Sequence, residues 1–469
     1  MRALIRPHGF TGRVKIPASK SHTIRRLLMA SLCDGVSRIE GPLDSLDAQS
    51  CAAACRVLGA DVDEERDGGG RLAAWTVRGL RGGLPAGLSG GPIPASAEFR
   101  IDAGNSGTTL FLALAAAALG GMPFTFTGDD QLGRRSAGPL LDALGELGVS
   151  VRSNRGCVPI TVRGPWRGGR VAVDCPTSQY LSALLIAAPL APPGTLTEID
   201  VPLLNEKPYV EMTLSYLDKQ GLLAGPARRK AGAGPETGIR YKSDFSYFRI
   251  PGGASYKPMN GPVPGDFSSA AFPAAAAVIT GNPLVLSGLD MEDTQGDKVF
   301  FDYLERMGCT VKTTGAETGN GPDLTVIPPA GRLRGGTFDL NATPDMLPVM
   351  AALAVYAGGD TLLTNAAHAR LKETDRIAVM AEELGRLGIS CEERHDGLLI
   401  RGRSFRTPPE GPGENRNPPV LDGRGDHRVV MALACAALGF SGPAEIAGAE
   451  AADVTYPGFM ELLGAEEYT

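Results

Sequence analysis

The chain has 469 residues, 43% of them hydrophobic and 6% aromatic, so it can bury sizeable cores and is predicted to form two domains or three. A formal net charge of −6 argues against nucleic acid or an anionic membrane as the main partner, although a local basic cluster could still bind a small anion. The eight cysteines are scattered without a Cys-x-x-Cys pair, which predicts reduced thiols and a cytoplasmic protein. We expect no membrane span, because no apolar run approaches roughly 18 residues, and no signal peptide, because the N-terminus lacks an apolar core.

Six segments with the same pattern recur along the chain. In each, a short run of small, polar or charged residues leads into an Ala-rich apolar stretch that ends at Gly or a turn. The segments are residues 17–30, 103–115, 176–187, 264–275, 343–354 and 425–434. They begin roughly 70 to 90 residues apart, which indicates an internal repeat. Because apolar residues cover nearly the whole surface of each predicted helix, we expect the six helices to be buried.

A second, amphipathic helix is predicted after each buried helix. Most copies end in a Leu-Gly or Met-Gly step, at Gly59, Gly148, Gly308 and Gly388, and Gly suits the left-handed residue that ends a helix. Runs typical of strands lie between the helices, at residues 149–152, 284–287, 309–312, 361–364 and 398–401. Each repeat is therefore predicted to contain a strand, a buried helix, a strand, an exposed helix and further strands. The stretches 87–95, 224–254 and 407–419, rich in Gly, Pro or basic residues, are predicted to be surface loops.

The most highly charged segment is Arg370-Leu371-Lys372-Glu373-Thr374-Asp375-Arg376. A helical pattern follows it and ends at Gly388, so we expect the segment to open a helix that presents Lys372 and Arg376 on one face. Two cations at a helix N-terminus are unfavourable beside the positive end of the helix dipole unless an anion binds there. The segment predicts either an anion-binding site or a solvated helix start with a Glu373–Arg376 pair.

Short motifs occur along the whole chain, one or more in each repeat. They are Lys20-Ser21 with Arg25, Gly104-Asn105-Ser106-Gly107-Thr108, residues 128–135, Thr177-Ser178-Gln179, Lys207-Pro208-Tyr209, Pro264-Gly265-Asp266, Pro344-Asp345, the Lys-Glu-Thr-Asp-Arg run and Asp426-His427-Arg428. With these motifs in this order the chain resembles the 5-enolpyruvylshikimate-3-phosphate synthases, a family of enolpyruvyl transferases. The resemblance implies an α/β fold of two domains, each with three repeated β-α-β-α-β-β units whose buried helices point at a cleft between the domains. Domain I would comprise residues 1–18 and 263–469, and domain II residues 19–262.

The resemblance also implies a reaction and a set of binding residues. The enolpyruvyl group of phosphoenolpyruvate is transferred to the 5-hydroxyl of shikimate 3-phosphate and phosphate is released, without metal or cofactor. Residues similar to the family's contacts with shikimate 3-phosphate are Ser21, Arg25, Thr177, Ser178, Gln179 and Tyr209. Residues similar to its contacts with phosphoenolpyruvate are Lys20, Asn105, Gly107, Thr108, Arg135, Arg376 and Arg428. Taken alone, Thr177 and Ser178 could simply cap a helix, and any single Arg could form a surface salt bridge.

Three residues resemble the family's proton-transfer group. Asp345 would hold the attacking hydroxyl, Lys372 would act as the base or the acid, and Glu373 would serve the methylene carbon of the enol. The division of acid and base roles among them stays open. His368 corresponds to a polar ligand contact and His427 to a supporting hydrogen-bond donor, although a lone His is more often structural.

The chain departs from the family pattern at three places. Glu206 stands before Lys207-Pro208-Tyr209, where a Ser that binds the substrate phosphate is expected, and a carboxylate facing a phosphate is repulsive unless a cation bridges it or it turns away. Val454 stands where many members carry a Lys that reaches phosphoenolpyruvate, and Arg134-Arg135-Ser136 lacks the usual Arg-Pro step. Because the missing Lys would also contact glyphosate, we expect weak glyphosate binding.

Two other functions fit parts of the pattern. The related enolpyruvyl transferase that acts on UDP-N-acetylglucosamine shares the repeat, but it usually carries a Cys in the loop corresponding to residues 128–136, where this chain has none. A paralogue that binds anions without catalysis would explain Glu206 and Val454, but not the retention of Asp345, Lys372 and Glu373 together. We therefore expect a monomeric enzyme whose partners are its two small-molecule substrates.

Overall fold

The structure is a computed structural model and describes residues 1–80, 99–224, 238–315, 322–402 and 418–468. The predicted loop at 87–95 lies outside the described residues, as do residues 225–237 and 407–417 of the other two predicted loops. The loop prediction for 224–254 is wrong in part, because Arg240–Tyr241 and Tyr247–Pro251 form strands that pair with each other in one sheet. The chain divides into two compact units, which we describe separately. Unit 1 comprises Met1–Ser19 with Pro264–Thr469, and unit 2 comprises Lys20–Val263. Assignment of these units as the two predicted domains, 1–18 with 263–469 and 19–262, stays a prediction.

The described residues contain twelve α-helices and several short 3₁₀ turns. The helices are α1 Lys20–Ser31, α2 Leu46–Val57, α3 Gly107–Ala117, α4 Gly138–Glu146, α5 Ser178–Ala187, α6 Lys207–Lys219, α7 Phe267–Ile279, α8 Val299–Arg306, α9 Leu347–Ala354, α10 Arg376–Arg386, α11 His427–Ala437 and α12 Phe459–Leu462. The 3₁₀ turns are Leu132–Arg134, Ala188–Leu190, Gly296–Lys298, Pro344–Met346, Ala367–Leu371 and Ala449–Val454.

The strands are short and number 26 in the described ranges. They are β1 Arg2–Ile5, β2 Gly12–Lys15, β3 Val36–Glu40, β4 Asp61–Arg66, β5 Leu72–Arg78, β6 Phe99–Asp102, β7 Phe124–Thr127, β8 Ser150–Asn154, β9 Cys157–Arg163, β10 Gly169–Ala172, β11 Leu196–Asp200, β12 Arg240–Tyr241, β13 Tyr247–Pro251, β14 Gly261–Pro262, β15 Leu284–Ser287, β16 Thr310–Thr314, β17 Asp323–Ile327, β18 Leu333–Arg334, β19 Thr337–Asp339, β20 Ala357–Gly358, β21 Thr361–Thr364, β22 Cys391–Arg394, β23 Gly397–Ile400, β24 Val420–Asp422, β25 Ala444–Ala447 and β26 Glu466–Tyr468.

The strands form six four-stranded sheets with one common design, besides the two-stranded pair β18-β20. The strand orders are β14-β3-β5-β4, β6-β7-β9-β8 and β10-β11-β13-β12 in unit 2, and β2-β15-β17-β16, β19-β21-β23-β22 and β24-β25-β1-β26 in unit 1. In every sheet the first two strands pair in parallel and the other neighbours pair antiparallel. The prediction of a mixed α/β fold with small repeated sheets is therefore confirmed.

The first helix after each leading strand is the buried one. Every residue of α3, α9 and α11 is buried, and so are nearly all residues of α7 and α5. Small Ala side chains on these helices allow close packing, as between α3 and α5 in unit 2 and between α9 and α11 in unit 1. Gly59, Gly148, Gly308 and Gly388 all have positive φ, which confirms the predicted left-handed helix ends.

Short polar side chains cap the starts of four of the buried helices. Ser106 caps α3, Thr177 caps α5, Asp266 caps α7 and Asp426 caps α11, each accepting a hydrogen bond from a backbone N–H of the first turn. In these four segments the polar cluster that precedes the apolar stretch supplies the helix cap, so candidate functional residues there lie at helix N-termini. Within the ranges that the structure describes, no helix is both long and apolar enough to cross a membrane.

Candidate active site

In unit 1 the centre of the candidate site is the guanidinium of Arg376, the first residue of α10. The side chain is fully buried and contacts three carboxylates. Its Nε donates to Oδ2 of Asp426 at 2.8 Å, Nη1 donates to Oδ1 of Asp345 at 2.7 Å and Nη2 donates to Oε2 of Glu373 at 2.7 Å. Burial alone would lower the pKa of Arg376, but the negative charges of the three carboxylates raise it above its ordinary value.

Asp345 is the carboxylate around which the cations of unit 1 gather. It lies in the 3₁₀ turn Pro344–Met346 just before α9. Besides Arg376, it contacts Arg428, with Nη2 3.0 Å from Oδ2, and Lys372, with Nζ 3.7 Å from Oδ1. The side chain of Asp345 is 17% exposed and that of Lys372 is 11% exposed, so both are accessible only in part. Three cations around one carboxylate form a compact site for an anionic or hydroxylated ligand.

The prediction that the charged heptapeptide opens a helix is wrong for its first part. Residues Ala367–Leu371 form a 3₁₀ turn, Lys372 is extended and α10 begins only at Arg376. The reason is Asp375, whose carboxylate accepts a hydrogen bond from the Ala378 N–H and thereby caps α10. Lys372 and Arg376 thus do not share a helix face, but both still contact Asp345. The anions that offset these cations are side chains of the same unit.

A second carboxylate, Asp297, belongs to the 3₁₀ turn Gly296–Lys298 and interacts electrostatically with Asp345. It is 2% exposed and accepts a hydrogen bond from the Ser268 hydroxyl on α7. Burial and, after it, the negative charge of Asp345 raise the pKa of Asp297 to about 6, although the positive charge of Arg428 opposes the shift. Sequence reasoning missed Asp297, whose only signal was an acidic residue just before a helix.

The two candidate histidines, both in unit 1, are buried, His368 with 5% and His427 with 2% of its surface exposed. The ring Nε2 of His368 lies 3.1 Å from the carbonyl oxygen of Asn341, so a proton on Nε2 would be donated to that carbonyl. His427 is the first residue of α11, between Asp426, which caps the helix, and Arg428. Their predicted ligand contacts stay predictions.

In unit 2 the first group of candidates lies at the starts of α1, α2 and α3. Nζ of Lys20 lies 3.1 Å from Oδ2 of Asp47 in the first turn of α2, and both side chains are largely buried. The Asn105 amide donates to the carboxylate of Asp129 at 2.8 Å and to the side chain of Gln131. Sequence reasoning did not identify Asp47, which gives Lys20 an internal partner.

Gly107 and Thr108 connect this group to Arg135 and α5. A Cβ added to Gly107 would lie 2.5 Å from Nη2 of Arg135, so the guanidinium of Arg135 lies directly against the start of α3. The side-chain amide of Gln179 donates to the Thr108 hydroxyl at 3.0 Å. The predicted contacts for the two substrates are therefore neighbours within unit 2.

Arg25 forms the buried polar centre of unit 2, with 1% of its surface exposed. Its guanidinium donates to the hydroxyls of Thr213 at 3.0 Å and Ser182 at 3.4 Å, and to the carbonyls of Ser21 at 3.3 Å and Tyr209 at 3.4 Å. Burial lowers the pKa of Arg25 to about 10, although the nearby negative groups oppose this shift. The group joins α1, α5 and α6 within their first two turns.

Glu206 contacts the start of α5. Its Oε2 accepts hydrogen bonds from the Thr177 hydroxyl at 3.0 Å, the Ser178 hydroxyl at 3.0 Å and the Ser178 backbone N–H at 3.1 Å. The interpretation of Thr177 as a helix cap is also confirmed, because its hydroxyl accepts from the Gln179 N–H. Val454, the other departure, ends the 3₁₀ turn Ala449–Val454 and is half-buried; the weak binding of glyphosate stays a prediction.

The chain was compared with known proteins. The family model described as EPSP synthase (3-phosphoshikimate 1-carboxyvinyltransferase) matches residues 6–463. The 3-phosphoshikimate 1-carboxyvinyltransferase of Acetivibrio thermocellus is 43% identical over 462 residues, which cover 98% of this chain and 96% of the relative. That of Halobacterium salinarum is 39% identical over 471 residues, covering 99% and 98%. The solved EPSP synthase of Acinetobacter baumannii superposes with a TM-score of 0.73 at 25% identity, covering 99% of this chain and 97% of that one.

Proposed function

Because the chain belongs to the EPSP synthase (3-phosphoshikimate 1-carboxyvinyltransferase) family, we propose that the group around Asp345 performs the proton transfers of the family's reaction and that unit 2 binds the acceptor's phosphate. The activity is the transfer of the enolpyruvyl group of phosphoenolpyruvate to the 5-hydroxyl of shikimate 3-phosphate, with release of phosphate. The match to this family decides against transfer to UDP-N-acetylglucosamine.

The chemistry requires two proton movements around one new bond. The 5-hydroxyl oxygen bonds to C2 of phosphoenolpyruvate and gives up its proton, while the methylene carbon C3 takes up a proton to complete a tetrahedral adduct. Loss of a proton from C3 and cleavage of the bond between C2 and the phosphate oxygen then give the enol ether and phosphate. A base must therefore face the hydroxyl and an acid must face the methylene carbon.

The observation that supports this proposal most is the contact of Lys372, Arg376 and Arg428 with Asp345. In our proposal Asp345 accepts a hydrogen bond from the acceptor hydroxyl, and Lys372, which is within reach of the same carboxylate, receives or returns its proton. Glu373, held by Arg376, exchanges a proton with C3. Arg428 and Arg376 would also hold the carboxylate and phosphate of phosphoenolpyruvate, to which forked guanidinium groups are suited.

In unit 2 the proposal assigns the acceptor to Ser21 and Arg25 of α1 and to the starts of α5 and α6. It assigns phosphoenolpyruvate to Lys20 and to the start of α3. The contacts of Arg25 with Ser182 and Tyr209 and the contact of Gln179 with Thr108 support it, because they bring the predicted residues into one group. The family's reaction needs the groups of both units, so we further propose two domains that share one substrate site. A monomer in the cytoplasm, working without metal or cofactor, is proposed from the sequence.

Replacement of Lys372 by Met tests the proton-transfer role. We expect Lys372→Met to lower kcat by about 10²- to 10⁴-fold, the range typical of a lost general acid or base, while the melting temperature and the binding of shikimate 3-phosphate change little. Lys312→Met, at an exposed lysine on β16 of the same unit, is the matched control and should retain full activity. A Lys372→Met variant with kcat within threefold of the parent chain would contradict the proposal.

A further inference from the structure

Glu206 is a buried carboxylate held in an uncommon backbone conformation. It precedes α6 with φ of 57° and ψ of 41°, in the left-handed region, and only 2% of its surface is exposed. Non-Gly residues adopt this region rarely, and they persist there when surrounding contacts hold them. The side chain makes no capping hydrogen bond to its own helix. Contacts with another element must therefore hold Glu206 in this conformation.

That element is α5. One oxygen of Glu206, Oε2, accepts three hydrogen bonds at its start, from the Thr177 hydroxyl and from the hydroxyl and backbone N–H of Ser178. The exposed N–H groups and the dipole make a helix N-terminus favourable for an anion. At α5 the anion is supplied by the protein itself. The charge of Glu206 also acts on the buried Arg25 and raises the pKa of Arg25 against the effect of burial.

Thr177 and Ser178 are the donors that our proposed function assigns to the 3-phosphate of the acceptor. A backbone N–H points in one direction, and a carboxylate oxygen 3.1 Å from the Ser178 nitrogen takes the place that a phosphate oxygen would need. Two anions at this position would also repel each other. Binding of the phosphate at α5 and the contact of Glu206 with α5 therefore exclude each other.

We infer that Glu206 is an internal competitor for the acceptor's phosphate and a residue that sets the affinity for phosphorylated acceptors. In the free protein the Glu206 carboxylate accepts the hydrogen bonds of the donors at the start of α5. Shikimate 3-phosphate must displace this carboxylate before the phosphate can accept the same hydrogen bonds. This inference rests on the proposed function, because it takes Thr177 and Ser178 as the phosphate donors. It predicts that removing the charge of Glu206 strengthens acceptor binding.

Two variants with different structural consequences test the inference by titration calorimetry with shikimate 3-phosphate, in the absence of phosphoenolpyruvate. Glu206→Gln keeps the size of the side chain and removes the charge. Glu206→Gly removes the side chain and suits the left-handed backbone. The hydrogen bonds that the Glu206 carboxylate accepts are charge-assisted, and both variants remove that charge. We therefore expect both variants to lower the Kd for shikimate 3-phosphate by about 10- to 100-fold. Unphosphorylated shikimate should bind with a Kd changed by less than about threefold.

The matched control is Glu211→Gln, which makes the same change of charge at an exposed position of α6. It should leave both Kd values unchanged, which separates a local effect from a change in net charge. An unchanged or higher Kd for shikimate 3-phosphate in both folded Glu206 variants would overturn the inference. An equal gain for shikimate and shikimate 3-phosphate would also overturn it, because the competitor would then not act on the phosphate.

Adding Ser178→Ala to Glu206→Gln separates this inference from the proposed function. If Ser178→Ala weakens binding of shikimate 3-phosphate while neither Glu206 variant tightens it, the acceptor site stands and the competition is refuted. If Ser178→Ala has no effect in this background, the phosphate does not bind at α5 and both proposals fail. Weakening by Ser178→Ala together with tightening by Glu206→Gln supports both.

Discussion

Arg376 shows how a single side chain organises the candidate site. Its fully buried guanidinium binds Asp345, Glu373 and Asp426, which belong to three different segments of unit 1. A buried cation without partners would be very unfavourable, so the three segments are held at fixed distances from one another. The site is therefore organised by its own internal charges before any ligand arrives.

Asp297 gives this cluster a pH dependence that can be measured. Its folded-state pKa of about 6 lies above the ordinary 3.8, because of burial first and then the charge of Asp345. A raised folded-state pKa stabilises the folded chain below the ordinary pKa, and the benefit is lost as the pH rises through about 6. Between about pH 5 and about pH 7.5, this group should lower the free energy of unfolding by about 1 kcal/mol.

Asp297→Asn removes the titration and keeps an acceptor for the Ser268 hydroxyl. We expect its melting temperature, relative to that of the parent chain, to rise between about pH 5 and about pH 7.5. Asp302→Asn, at an exposed position of α8 in the same unit, is the control and should show no such relative rise. If the difference in melting temperature between Asp297→Asn and the parent chain is the same at both pH values, the raised pKa of Asp297 is contradicted.

At the scale of residues, the sequence predicted which side chains gather around Asp345, but not how every other candidate side chain is oriented. The resemblance singled out Asp345, Lys372, Glu373 and Arg376. Asp345 contacts both Lys372 and Arg376, and Arg376 also contacts Glu373. Their catalytic roles remain proposals. The direction in which the Glu206 side chain points could not be predicted, because it depends on the neighbouring helix α5 and not on residues adjacent in sequence.

At the scale of elements, the close approach of Arg135 to the start of α3 requires a residue without a side chain. Gly107 begins this helix, and a Cβ there would overlap the end of the Arg135 side chain. Because that end is flexible, we expect Gly107→Ala to fold but to displace the guanidinium. A small displacement of a substrate-positioning group can reduce turnover strongly, so kcat/KM for phosphoenolpyruvate should fall by about 10- to 100-fold.

The control for this variant is Gly145→Ala on α4, where an added Cβ meets nothing within 4 Å. There the substitution should leave kcat/KM unchanged and stabilise the helix slightly, because Ala has the higher helix propensity. Steady-state kinetics with varied phosphoenolpyruvate measures both variants. Equal kcat/KM values for the Gly107→Ala variant and the parent chain would show that Arg135 does not position this substrate.

The elements themselves were largely predictable from the sequence. Apolar stretches rich in Ala predicted the buried helices, and the Gly steps predicted where the amphipathic helices end, as at Gly148 and Gly308. The start of α10 was not predicted, since the pattern of charges at residues 370–376 resembles a helix and only the Asp375 cap places the boundary. The position of such a boundary depends on the side chain that caps the helix.

At the scale of the whole molecule, six sheets repeat one strand order in two units, of which unit 1 is not continuous in sequence. The N-terminal strand β1 completes the last sheet of unit 1, and β2 leads the first. In unit 2 the leading strand β14 of the first sheet comes from the end of the unit's chain. The sequence repeat predicted six repeated units and the resemblance implied three in each domain, but the late strand β14 is too short for a sequence pattern to reveal.

The central claim is that this chain transfers an enolpyruvyl group to a phosphorylated shikimate. The most direct measurement is the release of phosphate from phosphoenolpyruvate by the purified chain, with shikimate 3-phosphate, with UDP-N-acetylglucosamine and with neither. Our account predicts steady release with shikimate 3-phosphate alone. Release with the UDP sugar, release without any acceptor, or no release with shikimate 3-phosphate would contradict it.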